Sequence, residues 1–268
     1  MTDTEFETFT SNEFTVRRYG SGAPHAAFIG GITYAPSDFH EVAKSMPGTN
    51  YVLNNPIHTG KVPRTREGTV EEVYNWKDWL REKYKEVLCK LECPLIVSHS
   101  LGTLYTSQIN KHIPGLHGFV LANPPTNKKG AYAEKYRLKE FGLLDKCMAD
   151  CCTDLTEEQY RAMLTDHEAE YITDAPPRNL QDIFRHEIPH PIPEAVETMI
   201  SAVRESAVPV LFVTGKQDPW NGNNIERVTC LDHVSHAELD TNHFPQISNP
   251  DEFTNAIESW KQVIERKS

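Results

Sequence analysis

The sequence lacks any apolar run approaching the roughly 20 residues that a membrane-spanning helix needs, so a transmembrane protein is not expected. It is also short of basic charge. Lys and Arg number 27 against 38 Asp and Glu, giving a net charge of −11, and the cations do not cluster. A chain that wraps nucleic acid or lies on anionic lipid needs such clusters, so both partner classes are disfavoured and small molecules fit better. The opening MTDTEFETFTSNEF is acidic and polar where a secretory leader would be basic and then apolar, which leads us to expect a cytoplasmic protein. Complete metal-ligand sets are missing too. Cys147, Cys151 and Cys152 sit at helical spacing, but neither a His nor a second CxxC lies near enough in sequence to complete four ligands. The six cysteines are therefore expected as free thiols, with no metal and no cofactor.

What the 268 residues do contain is an alternation of short apolar runs with amphipathic segments, the pattern of a mostly parallel sheet covered by helices on both faces. Strands are expected at FTVRRY (14–19), HAAFIGG (25–31), TNYVLNNP (49–56), PLIVS (94–98), HGFVLANPP (117–125), VPVLFVTG (208–215) and HAELD (236–240). Thr69 and Glu72 form a capping box that opens a long helix with Val73, Trp76, Leu80 and Tyr84 on one face. LGTLYTSQINKHI reads as a helix directly after PLIVS. A closing helix has Asn249 as cap, Pro250 at its first position, and Phe253, Ile257, Trp260 and Ile264 on one face. Residues 126–205 break the alternation: they read as mostly helical, with one start framed by Thr156 and Gln159 and another helix from Pro193 to Val203. An insert leaving the carboxyl end of a strand overhangs the place where open α/β sheets bind ligands, so this segment is expected to be a cap between two core pieces, 1–125 and 206–268.

The chemistry concentrates at PLIVSHSLG. A buried strand ending in small-x-Ser-x-Gly and passing at once into a helix forces its serine into a tight turn, with small residues two before and two after. Ser98 and Gly102 meet that demand around Ser100. The turn lifts the Ser100 hydroxyl above the sheet at a helix amino terminus, where the Leu101 N–H is free to hold an anion. Downstream, Asp218 follows the strand VPVLFVTG and His243 follows the next strand, in TNHFP. An imidazole there can take the serine's proton, and a carboxylate can orient the imidazole.

Serine, acid and histidine in that order, each after its own strand of one sheet, resemble the α/β-hydrolase superfamily. The resemblance covers about residues 13 to 265 and extends to NHFPQISNPDEF and to the glycines of FIGGITY. It implies a doubly covered parallel sheet, catalysis by Ser100, His243 and Asp218, and an oxyanion hole whose second N–H comes from Ile32 or, with a one-residue shift, from Gly31. Ile32 is preferred. The chain departs from the family pattern in carrying Gly30 and Gly31 where His-Gly is usual, Ser98 in place of a glycine, and Asn54 and Asn55 where an Asp is common.

Tyr34 and Trp220 flank the proposed loops and, with His99, are candidate pocket residues. His99 is a packed neighbour of the nucleophile rather than a base, because alternate residues of a strand face opposite ways. His233 and His236, placed ahead of the last strand, lie on the wrong side for the base. The resulting expectation is a serine hydrolase that cleaves an ester, lactone or thioester of a small acyl substrate through an acyl-enzyme. APSDFHEV and PIHTG bear a loose similarity to stand-alone thioesterases. The alternatives are a carbon–carbon hydrolase or lyase built on the same three residues, and a receptor of the same fold with little turnover.

Overall fold

The computed structural model describes residues 6–12, 14–31, 36–54, 70–126, 192–218 and 225–266. Eight strands form one sheet: β1 (Glu7–Ser11), β2 (Phe14–Gly20), β3 (Pro24–Ile29), β4 (Thr49–Asn54), β5 (Leu95–His99), β6 (Gly118–Ala122), β7 (Val210–Gly215) and β8 (Val234–Leu239). Their order across the sheet is β1-β2-β4-β3-β5-β6-β7-β8. The first two pairings, β1 with β2 and β2 with β4, are antiparallel, and every later pairing is parallel.

The continuous apolar runs in the middle strands follow from burial on both faces, since successive side chains must each find a core. Ala27, Ile29, Ile96, Phe119, Leu121, Val210 and Phe212 point into one layer, and Ala26, Phe28, Leu95, Val97, Val120, Leu211 and Val213 into the other. The first layer is covered by α2 (Val70–Leu91), α3 (Leu101–Thr106), α4 (Ile192–Arg204) and α5 (Glu226–Thr229). The second is covered by α1 (His40–Ser45) and by α7 (Pro250–Glu265), which follows the short α6 (Pro245–Ser248). On α2, Leu80, Tyr84, Val87 and Leu88 make the buried stripe, and the Tyr84 ring packs against Phe14 at 4.8 Å. The cap of α7 forms as expected: Asn249 accepts from the Glu252 N–H, and Pro250 occupies the first turn. Phe253, Ile257 and Trp260 then turn inward.

The structure moves several boundaries. β1 was not anticipated, because its residues are polar and its outer face is exposed, the signature of an edge strand and not of a core one. α3 stops at Thr106 instead of running to Ile113. Beyond it the Ser107 hydroxyl and the Gln108 amide donate to the Leu104 carbonyl, and the Asn110 amide donates to the Ser206 hydroxyl. Side chains that compete with the backbone in this way end helices early. β8 begins two residues sooner than expected, so His236 lies in the middle of the strand, paired with Phe212, rather than at its start. α4 falls inside the segment expected as a cap, yet it sends Val196, Met199, Ile200 and Val203 into the core beside α3. The remaining insert residues 127–191, the three cysteines Cys147, Cys151 and Cys152, and the capping residue Thr69 lie outside the described residues. Among the described residues, no helix is long and apolar enough to cross a membrane, and no cluster of three His, Cys, Asp or Glu could hold a metal ion.

Candidate functional site

Ser100 sits between β5 and α3 with φ 51° and ψ −129°, a left-handed conformation that costs an ordinary residue about 1–3 kcal/mol. Its neighbours compensate. The Ser100 N–H donates to the Ala122 carbonyl at 2.9 Å, extending the β5–β6 ladder past its last pair. The Ser100 carbonyl accepts from the Thr103 N–H at 3.0 Å and from the Thr103 hydroxyl at 2.6 Å. The demand for small flanking residues is visible in the contacts. A Cβ on Gly102 would lie 2.5 Å from the Gly30 carbonyl oxygen, which cannot move without shifting the backbone. Ser98 fits where glycine is usual because its hydroxyl is hydrogen-bonded to Thr106 Oγ1 at 2.7 Å, while the Thr106 hydroxyl donates to the Gly102 carbonyl at 2.8 Å.

Asp218 and His243 reach the same place from the carboxyl ends of β7 and β8. The Asp218 N–H donates to the Gly215 carbonyl in a tight turn, and its side chain is fully buried. His243 Nδ1 lies 2.9 Å from Asp218 Oδ2, and Nε2 lies 3.0 Å from Ser100 Oγ. A carboxylate accepts, so Nδ1–H is the donor, and the Nε2 lone pair faces the serine hydroxyl. The three side chains thus form one continuous hydrogen-bonded line, and Ser100 and His243 remain only partly buried.

The backbone at Gly31 passes close against this line. A methyl group placed on it would lie 2.8 Å from Ser100 Cβ and 3.1 Å from both Ser100 Oγ and the Leu101 nitrogen. Only glycine allows this approach to the hydroxyl and to the Leu101 N–H, which as the first of α3 has no intrahelical carbonyl to serve.

His99 lies beneath the base, buried, with its ring 4.9 Å from that of His243, and Nε2–H donates to the His243 carbonyl at 2.7 Å. Burial, reinforced by the His243 charge, holds His99 well below the usual imidazole range, so it stays a neutral donor. It is a packed neighbour, as the sequence indicated. His233 Nε2–H donates to the Val203 carbonyl, and His236 Nε2 is hydrogen-bonded to the Thr214 hydroxyl, so neither joins the line. Ile32, Tyr34 and Trp220 lie outside the described residues, as does Asn55. Nothing in the sequence prompts Asn123, which closes β6 against the His243 loop. Asn-Pro-Pro after a strand reads as an ordinary turn, and the available signal was a lone amide among residues expected to be buried.

No protein-family model matches this sequence, and no curated protein matches it. Solved structures do. A haloalkane dehalogenase from Bradyrhizobium elkani aligns over 98% of this chain and 99% of its own, with a TM-score of 0.64 and 14% identity. An enol-lactonase from Burkholderia xenovorans aligns over 96% and 100%, with a TM-score of 0.64 and 14% identity. A thioesterase domain from the curacin biosynthetic pathway aligns over 94% and 98%, with a TM-score of 0.59 and 14% identity. The chain has the α/β-hydrolase fold. At such identities the likeness concerns architecture, and these three names already span different reactions, so the chemistry has to be argued from the side chains.

Proposed function

We propose that this chain is a serine hydrolase that cleaves esters, lactones or thioesters of a small acyl substrate through an acyl-enzyme. The observation that supports it most is the hydrogen-bonded line from Asp218 through His243 to a serine lifted on a strained turn at a helix amino terminus. In the first half-reaction His243 Nε2 takes the Ser100 proton as Oγ bonds to the substrate carbonyl carbon. The carbonyl oxygen becomes an anion beside Gly31, held by the Leu101 N–H and by a second N–H assigned to Ile32. Collapse breaks the bond to the leaving alcohol or thiol, which receives the proton from His243. Water then attacks the acyl group with His243 again as base, releasing the acid and restoring Ser100. Asp218 holds the imidazole in the Nδ1–H form and stabilises the imidazolium in each half. No step calls for a metal or an organic cofactor. Residues 126–205, apart from the core-packed α4, would supply the cap that selects the acyl group, above a core that supplies the chemistry.

The test is hydrolysis of p-nitrophenyl acetate, p-nitrophenyl butyrate and the matching acyl thioesters by wild type and Ser100→Ala. Loss of turnover by a factor of about 10³ or more in the folded alanine variant is expected. Near-full activity in that variant would remove Ser100 from the mechanism. The ratio of kcat/KM between ester and thioester of one acyl group decides the leaving-group class.

A further inference from the structure

His243 sits on a stretch, 241–244, that belongs to neither helix nor strand, so no regular backbone ladder holds the imidazole in line. Side chains do this instead, and one of them reaches both loops that matter. Asn123, fully buried at the end of β6, donates through Nδ2 to the Asn242 carbonyl at 3.0 Å and to the His243 carbonyl at 2.8 Å. Its Oδ1 accepts from the Gly215 N–H at 2.7 Å, at the end of β7 where the turn to Asp218 begins. The orientation of the amide follows from the chemistry of its partners. Two carbonyls can only accept and an N–H can only donate, so nitrogen must face the histidine loop and oxygen the aspartate turn.

We infer that Asn123 is a positioning residue for the proposed general base, a single amide that fixes the loop carrying His243 against the turn carrying Asp218. This deepens the hydrolase reading above and rests on it. Two further observations fit. Asn123 takes a left-handed φ of 42°, which Asn tolerates better than most residues, and its own N–H donates to the Val213 carbonyl at 2.8 Å, so the bracket is anchored in the sheet. The His243 carbonyl also accepts from His99 Nε2–H, so two donors fill its two lone pairs from two different strands. A carbonyl held from two directions restrains its own residue against both rotation and translation, and the His243 ring inherits that restraint. Asn123 and His99 therefore share one task, and removing both should cost less than the product of the single losses or far more, but not the simple product.

Asn123→Asp is the sharpest variant. It keeps the shape, tolerates the left-handed backbone and can still accept from Gly215, but it turns both donated hydrogen bonds into contacts between oxygens. Asn123→Gly is the companion, since glycine adopts φ 42° without strain and simply deletes the amide. In folded protein, kcat for p-nitrophenyl acetate should fall about 10- to 100-fold with KM within about threefold, as for a misplaced base and not a lost binding contact. Labelling of Ser100 by a fluorophosphonate should slow by the same factor. The downfield proton resonance of His243 Nδ1–H should shift or broaden, which general loosening elsewhere would not cause. If either folded variant keeps wild-type kcat, labelling rate and resonance, Asn123 is not a positioning residue. If wild type itself neither hydrolyses nor labels, the hydrolase reading fails, and the resonance alone still decides whether Asn123 holds His243 against Asp218.

Discussion

Among the described residues, two histidine–carboxylate pairs have the same length and lie at opposite ends of the sheet. At the carboxyl end His243 Nδ1 meets Asp218 at 2.9 Å, and at the amino end His25 Nε2 meets Glu258 at 2.9 Å. What separates them is the other ring nitrogen. His243 Nε2 faces the Ser100 hydroxyl, whereas His25 Nδ1 faces the Lys261 ammonium at 3.3 Å. An ammonium can only donate, so the His25 lone pair is already occupied and its Nε2–H is given to Glu258. The surroundings differ as well. Asp218 is sealed from water on a turn at the crevice edge, and Glu258 is about a quarter exposed on α7. A hydrogen bond between imidazole and carboxylate is therefore not in itself a site. The two pairs differ in what the other ring nitrogen meets, a serine hydroxyl at one end and an ammonium at the other.

The largest break in that comparison should come from Asp218→Asn. Its amide can donate to Nδ1, which puts the proton on Nε2 and leaves no base for Ser100, so kcat should fall by about 10⁴ in steady-state assays. The matching change at the other end, His25→Gln, should leave kcat within about twofold. Next in size is Gly31→Ala, whose methyl group would fill the position beside Ser100 Oγ and Leu101. Ester turnover should drop by at least about 10², comparable to losing an oxyanion donor, and the thermal midpoint should fall as well because the turn carrying Ser100 must shift.

Glu258→Gln probes the structural pair. The His25 hydrogen bond, aided by the nearby Lys261 charge, holds the Glu258 carboxyl below its usual value of 4.5 against the opposing effect of burial. A carboxyl depressed in the folded state stabilises the protein fully above about 4.5 and loses that contribution as pH falls through the folded value. Urea unfolding should therefore show a loss of about 0.5 kcal/mol for the variant at neutral pH, small because the pair is partly screened by solvent, and none in acid. The smallest effect concerns thiols. Burial pushes Cys93 up to about 12, so its thiolate is scarce at neutral pH, whereas Cys230 is exposed. Peptide mapping after iodoacetamide should find Cys230 modified, Cys93 untouched and esterase activity unchanged.

Much of this was legible in the sequence wherever a residue's role follows from the element before it. Ser100 and Asp218 each follow a run apolar enough to be a buried strand, His243 follows the largely exposed last strand, and a parallel sheet brings such positions to one edge whatever lies between them. Gly102 was legible because the turn's sterics admit little else there. Asn123 was not legible, since its value depends on carbonyls of Asn242 and His243 far along the chain, and nothing local distinguishes it from a turn residue. The edge strand β1 was hidden for the opposite reason: an exposed strand of Glu, Thr and Ser buries too little to write an apolar pattern. His25 and Glu258 pair across most of the chain and left no trace in spacing.

The most direct measurement is intact-mass detection of the protein after a small fluorophosphonate, with peptide mapping of the adduct, for wild type, Ser100→Ala and Lys261→Ala. Only a serine hydrogen-bonded to an imidazole nitrogen that can take its proton should react. The expected result is one adduct on Ser100 in wild type, none in Ser100→Ala, and an unchanged single adduct in Lys261→Ala, because freeing the His25 lone pair supplies no nucleophile. Absence of any adduct in folded wild type, or an adduct that persists in Ser100→Ala, would contradict the assignment of the Ser100, His243 and Asp218 line as the reactive centre.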